Sequence, residues 1–184
     1  MPLHSVEAML DAATDTAIRA DWDLLKAAGL PSQADHKGAT NSPHLTLGAA
    51  PAVPAPVEDR LVASIVPLLP VPVRLGALVV LGGRRLVLAR LVVPTAELLR
   101  LHEKVAEAMR GAPDVPDMTL PGRWSPHVTL ARGLSVEQVS QALAALGRTR
   151  DLEGSLTQVR RWDPDAKRVW ALGEAPDGRP TMEA

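Results

Sequence analysis

Cysteine, phenylalanine and tyrosine are all missing from this chain, and four tryptophans are its whole aromatic content. Without cysteine there are no disulfides and no thiolate metal sites, although disulfide-free proteins occur in every compartment. With only Trp22, Trp124, Trp162 and Trp170 available to stack on a base, strong base selectivity and tight binding of single-stranded RNA have few providers. An excess of one charge is lacking too. Lys and Arg number 20 against 21 Asp and Glu, a net charge of −1, whereas gripping long nucleic acid by its phosphates needs a strongly basic face. DNA is therefore not an expected partner, while a nucleotide or an RNA terminus is compatible with the charge. Nor is there a membrane-spanning run: the most apolar stretch, Leu61 to Leu81, is broken by Pro67, Pro70, Pro72 and Arg74 and reads as core. The opening Met1-Pro2-Leu3-His4-Ser5-Val6-Glu7 lacks a basic stretch followed by an apolar one, so no secretory leader is read. Cytoplasm and a monomer without membrane partners are the expectations.

What is present is a repeat. Ser42-Pro43-His44-Leu45-Thr46-Leu47 returns almost unchanged as Ser125-Pro126-His127-Val128-Thr129-Leu130. On a strand, His and Thr at i and i+2 share one face while the intervening Leu or Val turns to the core. Each copy thus pairs an imidazole with a hydroxyl. From average residue usage, two His-apolar-Thr/Ser-apolar matches arise by chance in about one chain of this length in a thousand. Either copy alone would read as an ordinary structural strand. Pro43 and Pro126 suit strand starts, where a missing N–H is tolerated.

The order of elements repeats as well. A strand over Leu3 to Leu10, with Val6, Ala8 and Leu10 on one face, leads to a helix from about Ala12 to Ala28 that Asp11 caps and Gly29 ends. After a loop to Asn41 come the first motif strand, a helix over about Val57 to Val66 and a strand over Val73 to Leu81. The second half runs strand (Arg85 to Val93), helix (Thr95 to Arg110), a stop at Gly111-Ala112-Pro113, motif strand and helix (Val136 to Leu146). It closes with a hairpin, Ser155 to Trp162 and Lys167 to Leu172, turning at Asp163-Pro164-Asp165. Gly82-Gly83 marks a tight hairpin and the lobe boundary. The expectation is an α+β fold: two pseudo-symmetric βαβαβ lobes, about 1–81 and 84–174, with antiparallel sheets flanking a central cleft, then a loose tail over 175–184.

Two imidazoles and two hydroxyls converging across a cleft suit phosphodiester chemistry. A neutral His can take a proton from the attacking oxygen while a protonated His gives one to the leaving oxygen, and both tasks want a group that titrates near neutrality. Thr hydroxyls can hydrogen-bond the non-bridging oxygens as charge develops. No metal is called for, since neither motif has a third ligand at a spacing such as H-E-x-x-H. No nucleophile elbow G-x-S-x-G appears, and Gly82-Gly83 is not followed by the G-K-[ST] of a phosphate loop.

These residues resemble the paired H-x-[T/S]-x signature of the 2H phosphoesterase superfamily, in particular its bacterial 2'-5' RNA ligase-like and RNA 2',3'-cyclic phosphodiesterase branch. The resemblance spans about Leu3 to Leu172. It implies that His44 and His127 act as general acid and base, in an order left open, and that Thr46 and Thr129 bind the phosphate. It also implies a cyclic 2',3'-phosphate on a nucleotide or RNA end as substrate, opening to a 2'-phosphate, with joining of 2'-5' linkages as a further activity and no cofactor. The competing expectation is a nucleotide- or phosphate-binding module that keeps the cleft without turnover.

Three further residues are candidate substrate contacts. Arg132 follows the second motif, yet strand parity sets it opposite His127 unless the strand ends or bulges at Ala131-Arg132-Gly133. Trp124 and Arg123 precede that motif on a rim loop, where one could stack on a base and the other hold a phosphate. His36 and Lys37 fall in the loop before the first motif and read as solvated. His4 and His102 have no partner pattern and read as structural or surface residues.

Overall fold

The alternation of Val6, Ala8 and Leu10 makes β1 (His4–Leu10), and all three are buried. The computed structural model describes residues 2–38, 40–82, 85–147 and 149–173. The 175–184 tail and Gly83 of the Gly82-Gly83 turn lie outside the described residues. Asp11 caps α1 (Ala12–Ala27) by accepting the Thr14 N–H, and Ile18, Trp22 and Leu25 form its buried stripe. The first motif strand is β2 (His44–Ala50). The next helix, α2 (Ala55–Ile65), starts two residues before the expected point because Pro56 sits in its first turn, where no N–H is required.

Strands β3 (Val71–Gly82) and β4 (Leu86–Val92) pair antiparallel out to Gly82 opposite Leu86, a hairpin in the expected place. Thr95 caps α3 (Ala96–Ala108), and the second motif strand is β5 (His127–Leu134). Ser135 and Gln138 form a reciprocal capping box at the start of α4 (Val136–Leu146). Last come β6 (Leu152–Asp163) and β7 (Arg168–Ala171).

The seven strands form one antiparallel sheet in the order β1-β2-β5-β4-β3-β6-β7, with a further pairing of β1 to β6, where separate sheets were expected. The reason is the length of β6. Its first part, Leu152 to Leu156, pairs with β3, and its second, Leu156 to Trp162, pairs with β1. This early pairing also begins β6 three residues before Ser155. On the other side β2 and β5 meet at a single pair, Leu45 opposite Val128. Six strands therefore close a circuit, and β7 adds an outer edge.

The helices cross the halves. From the first half, α1 packs on α4, β5 and β6, and α2 packs on α3, which itself lies against β2 and β3. A buried ion pair fastens one of these crossings: Arg90 Nε on β4 donates to Asp21 Oδ2 on α1 at 2.6 Å. Among the described residues no helix is long and apolar enough to cross a membrane.

Candidate active site

Because β2 and β5 run antiparallel around the Leu45–Val128 pair, the two His-x-Thr units are related by a local two-fold axis. Leu45, Leu47, Val128 and Leu130 are buried on the core side, and His44, Thr46, His127 and Thr129 share the opposite, half-exposed face. Each imidazole is held in the same way. Nδ1 of His44 lies 2.8 Å from the Ser42 carbonyl, and Nδ1 of His127 lies 2.7 Å from the Ser125 carbonyl. A carbonyl can only accept, so Nδ1 carries the hydrogen and Nε2 is left for chemistry. The Ser-Pro pair before each His thus has a use: its serine carbonyl sets the tautomer.

Each motif strand is backed by an indole. Trp22 Nε1, from α1, donates to the Thr129 carbonyl at 3.0 Å, and Trp124 Nε1 donates to the Thr46 carbonyl at 3.0 Å. Trp124 also stacks on His102, with ring centroids 3.9 Å apart and planes 2° from parallel. Its ring is therefore turned into the protein. Burial holds the His102 imidazole below its ordinary value against the Thr119 carbonyl and Glu103, and its Nε2 lies 3.0 Å from that carbonyl. Arg123 is spent on an exposed ion pair with Asp117 at 2.6 Å.

Arg132 does reach the site, through a bulge. On β5 the register passes from Thr129 opposite Ala89 to Ala131 opposite Leu88, so Leu130 is an extra residue. Leu130 and Ala131 both turn inward, and Arg132 returns to the face of His127 and Thr129. Its Nη2 donates to Thr129 Oγ1 at 3.3 Å. A second bulge follows at Gly133, whose φ of +78° favours glycine. The first motif carries the matching bulge, since Leu47 is the extra residue between Thr46 opposite Glu7 and Gly48 opposite Val6.

The electrostatics break the symmetry. Glu7 on β1 is buried with its Oε1 3.6 Å from His44 Nε2, accepts the Ser5 hydroxyl at 2.6 Å and accepts Arg160 Nε at 2.8 Å. Burial works against its charge, but His44, Ser5 and Arg160 together outweigh that and hold the carboxyl below its usual range. His127 is pushed below the ordinary imidazole value, first by burial and then by the charges of Arg132 and His44, against the opposing pull of the Ser125 carbonyl.

A polar cavity of about 300 Å³ opens on the His44 side, lined among others by Glu7, His44, Arg132, Arg160 and Trp162. His36 lines both this cavity and a second, of about 340 Å³, that Arg19 and Lys37 border. Glu7 and Arg160 were not singled out in the sequence, and Trp162 was named only as one of the four tryptophans available to stack on a base. The β1 alternation that buries Val6 and Ala8 already turned Glu7 to the opposite face, yet nothing in the sequence said which strand would lie beside it. Trp22, Trp124 and Trp170 donate their indole N–H groups within the protein, so Trp162 is the indole that faces the cavity.

One cluster among the described residues has metal-ligand geometry: His4, Asp163 and Asp165, whose ligand atoms lie within 4.8 Å of one another. Arg161 Nη2 stands 3.4 Å from His4 Nδ1, a charge that opposes a cation there.

The profile of the 2'-5' RNA ligase superfamily matches residues 14–168, a span that takes in both motifs. The chain belongs to the 2'-5' RNA ligase superfamily. These are the 2H phosphoesterases, so the resemblance read from the two motifs holds. No curated protein matches the sequence. Among solved structures, Usb1 of Kluyveromyces marxianus superposes with a TM-score of 0.53 at 12% identity, covering 92% of this chain and 97% of that one. Usb1 with uridine monophosphate gives 0.54 at 13% identity over the same shares, and a protein described as a phosphoesterase gives 0.53 at 19%, again over 92% and 97%. At these identities the likeness shows a shared fold.

Proposed function

We propose that this superfamily member is a metal-independent phosphodiesterase that opens 2',3'-cyclic phosphates on nucleotides or RNA ends. The observation that carries the reading is the antiparallel meeting of β2 and β5 at Leu45 and Val128, which sets two imidazoles and two hydroxyls on one face. Two lobes, about 1–81 and 84–174, each contribute one His-x-Thr unit. One imidazole Nε2 takes a proton from water, the water oxygen attacks phosphorus, the P–O3' bond breaks, and the other imidazole gives its proton to O3'. A 2'-phosphate and a free 3'-hydroxyl result. With a 5'-hydroxyl in place of water, the same groups in the same roles form a 2'-5' linkage from a cyclic end while the P–O3' bond breaks.

Thr46, Thr129 and Arg132 hold the non-bridging oxygens, where negative charge grows in the transition state. Trp162 offers the cavity's one indole surface to a nucleobase, while Trp124 supports the Thr46 backbone. That a structural neighbour was solved with uridine monophosphate supports a nucleotide as the occupant. The test is hydrolysis of the four nucleoside 2',3'-cyclic phosphates in EDTA. Turnover is expected to survive the chelator, to yield the 2'-phosphate, and to fall by about 10² to 10⁴ in His44→Ala and in His127→Ala. Undiminished activity in both variants would overturn the mechanism, and saturable nucleotide binding without turnover of any cyclic phosphate would favour a binding module.

A further inference from the structure

The chemistry at the two histidines makes no use of the second polar cavity, of about 340 Å³, that adjoins the first. The two cavities share His36, Gly38 and Asn41 as a common wall and so form one trough that leads away from His44. Beyond that wall the lining carries the cations Arg19 and Lys37 against one carboxylate, Asp23. We infer that the second cavity is a subsite for the phosphate on the 5'-oxygen of the terminal nucleoside, the phosphodiester that joins it to the rest of an RNA chain. This rests on the phosphodiesterase reading and narrows its substrate to an RNA end.

The covalent order of the substrate matches the order of the cavities. In a 2',3'-cyclic end the reacting phosphorus sits on one edge of the ribose and the 5'-carbon leaves from the other, so the next phosphate lies one sugar away. With the cyclic phosphate on the motif face and the base against Trp162, that next phosphate falls at the shared wall. The wall is fastened at several points. Ser32 and Asp35 close a reciprocal capping box on the short turn Gln33–Asp35, and Lys26 Nζ lies 3.6 Å from Asp35. Asn41 Nδ2 donates to the Gln33 and His36 carbonyls at 2.8 and 3.1 Å, and Arg160 Nη2 donates to the Thr40 carbonyl at 3.1 Å. These bonds set His36 and Lys37, both exposed, at the mouth of the trough. From α1, Arg19 lies over the Trp22 ring at 5.5 Å, and Asp15 accepts its Nε at 2.6 Å and its Nη2 at 3.4 Å. That pairing orients the guanidinium and leaves Nη1 to meet an anion. An oriented guanidinium and an exposed ammonium around a polar hollow offer a phosphate charge-assisted hydrogen bonds. A net charge of −1 fits a grip on one phosphate rather than on a long strand.

The experiment is calorimetric binding to the whole chain of three probes that need no turnover: adenosine 2'-monophosphate, adenosine 2',5'-bisphosphate, and the dinucleotide ApA with a 2'-phosphate on its end. Relative to the first, the phosphate on the 5'-oxygen is expected to tighten binding by about fivefold or more, and at least as much as a diester as it does as a monoester. The gain is expected to shrink with added salt. Lys37→Ala is expected to lose most of the gain while binding adenosine 2'-monophosphate as the wild type does, and Lys37→Arg to keep it. Equal affinity for all three probes would overturn the inference. So would a gain that Lys37→Ala leaves intact, since the phosphate would then lie elsewhere, and a gain confined to the bisphosphate would overturn the RNA chain as occupant. Lys37 is exposed and lies outside the helices and strands, so its variants test the subsite without touching the core. Binding gains of the expected kind in a protein that turns over no cyclic phosphate would overturn the phosphodiesterase reading and leave the subsite standing.

Discussion

A single hydroxyl-guanidinium contact distinguishes the two ends of the site at the scale of residues. Arg132 lies against Thr129, and the charge it adds is best placed to meet an oxyanion. Arg132→Ala is expected to lower kcat/KM by about 10², the size of one lost oxyanion donor, with Arg132→Lys recovering part because it keeps the charge and loses the planar fork. Steady-state kinetics on a cyclic nucleotide check this; equal losses in both variants would mean that charge plays no part. The two histidines and two threonines were legible because their chemistry is written locally, within four residues, and written twice. Glu7 was not, since one carboxylate on a strand becomes meaningful only when pairing sets it beside His44. Arg132 was half legible: the residue was visible, while its face depended on a bulge that no residue announces before the partner strand is known.

Helix and strand identities followed from capping and alternation at the scale of elements. Asp11 caps its helix as read from the sequence, Thr95 and Ser135 cap two more in the structure, and the motif strands run where the alternation put them. The long β6 was read short because its first residues carry no clean alternation and are held by β3 instead. This close approach has a sharp test. A Cβ at Gly154 would fall on the Thr14 hydroxyl and within 2.7 Å of Asp11 Oδ2, the atom that accepts the Ser155 N–H at 2.6 Å. Gly154→Ala must therefore displace both the helix cap and the strand joint. It is expected to destabilise the protein by about 2 kcal/mol or more, the scale of a lost cap added to overpacking. Urea unfolding monitored by circular dichroism gives the value, and a change within about 0.5 kcal/mol would contradict the contact.

For the whole molecule, the duplicated order of elements pointed to the fold, while the merging of the strands into one sheet was hidden in pairings between distant segments. Burial also sets how the molecule responds to acid. His102 and His127 are held neutral below the ordinary imidazole value of 6.5, and Glu7 is held ionised below 4.5. An imidazole with a depressed folded value binds its proton more weakly than in the unfolded chain, so its contribution is intact above 6.5 and is lost as the pH falls toward the folded value. For the carboxyl, stability is present above 4.5 and lost as the pH falls through the folded value. Thermal melts should therefore show Tm dropping in two stages on acidification, the first beginning just below 6.5. A flat Tm through that first window would argue against neutral, buried imidazoles.

The strand β6 is hydrogen-bonded to β3 along one part and to β1 along the next, and β2 meets β5 across the other side of the circuit. A sheet closed in this way holds each motif strand from both of its neighbours. The spacing of the two histidines is then set by strand pairing on both sides of the circuit. A site built this way is a vice already tightened rather than a pair of jaws. On the proposed reading its selectivity is one of reach: a phosphate already bent into a five-membered ring needs less adjustment to meet both histidines than a slack phosphodiester.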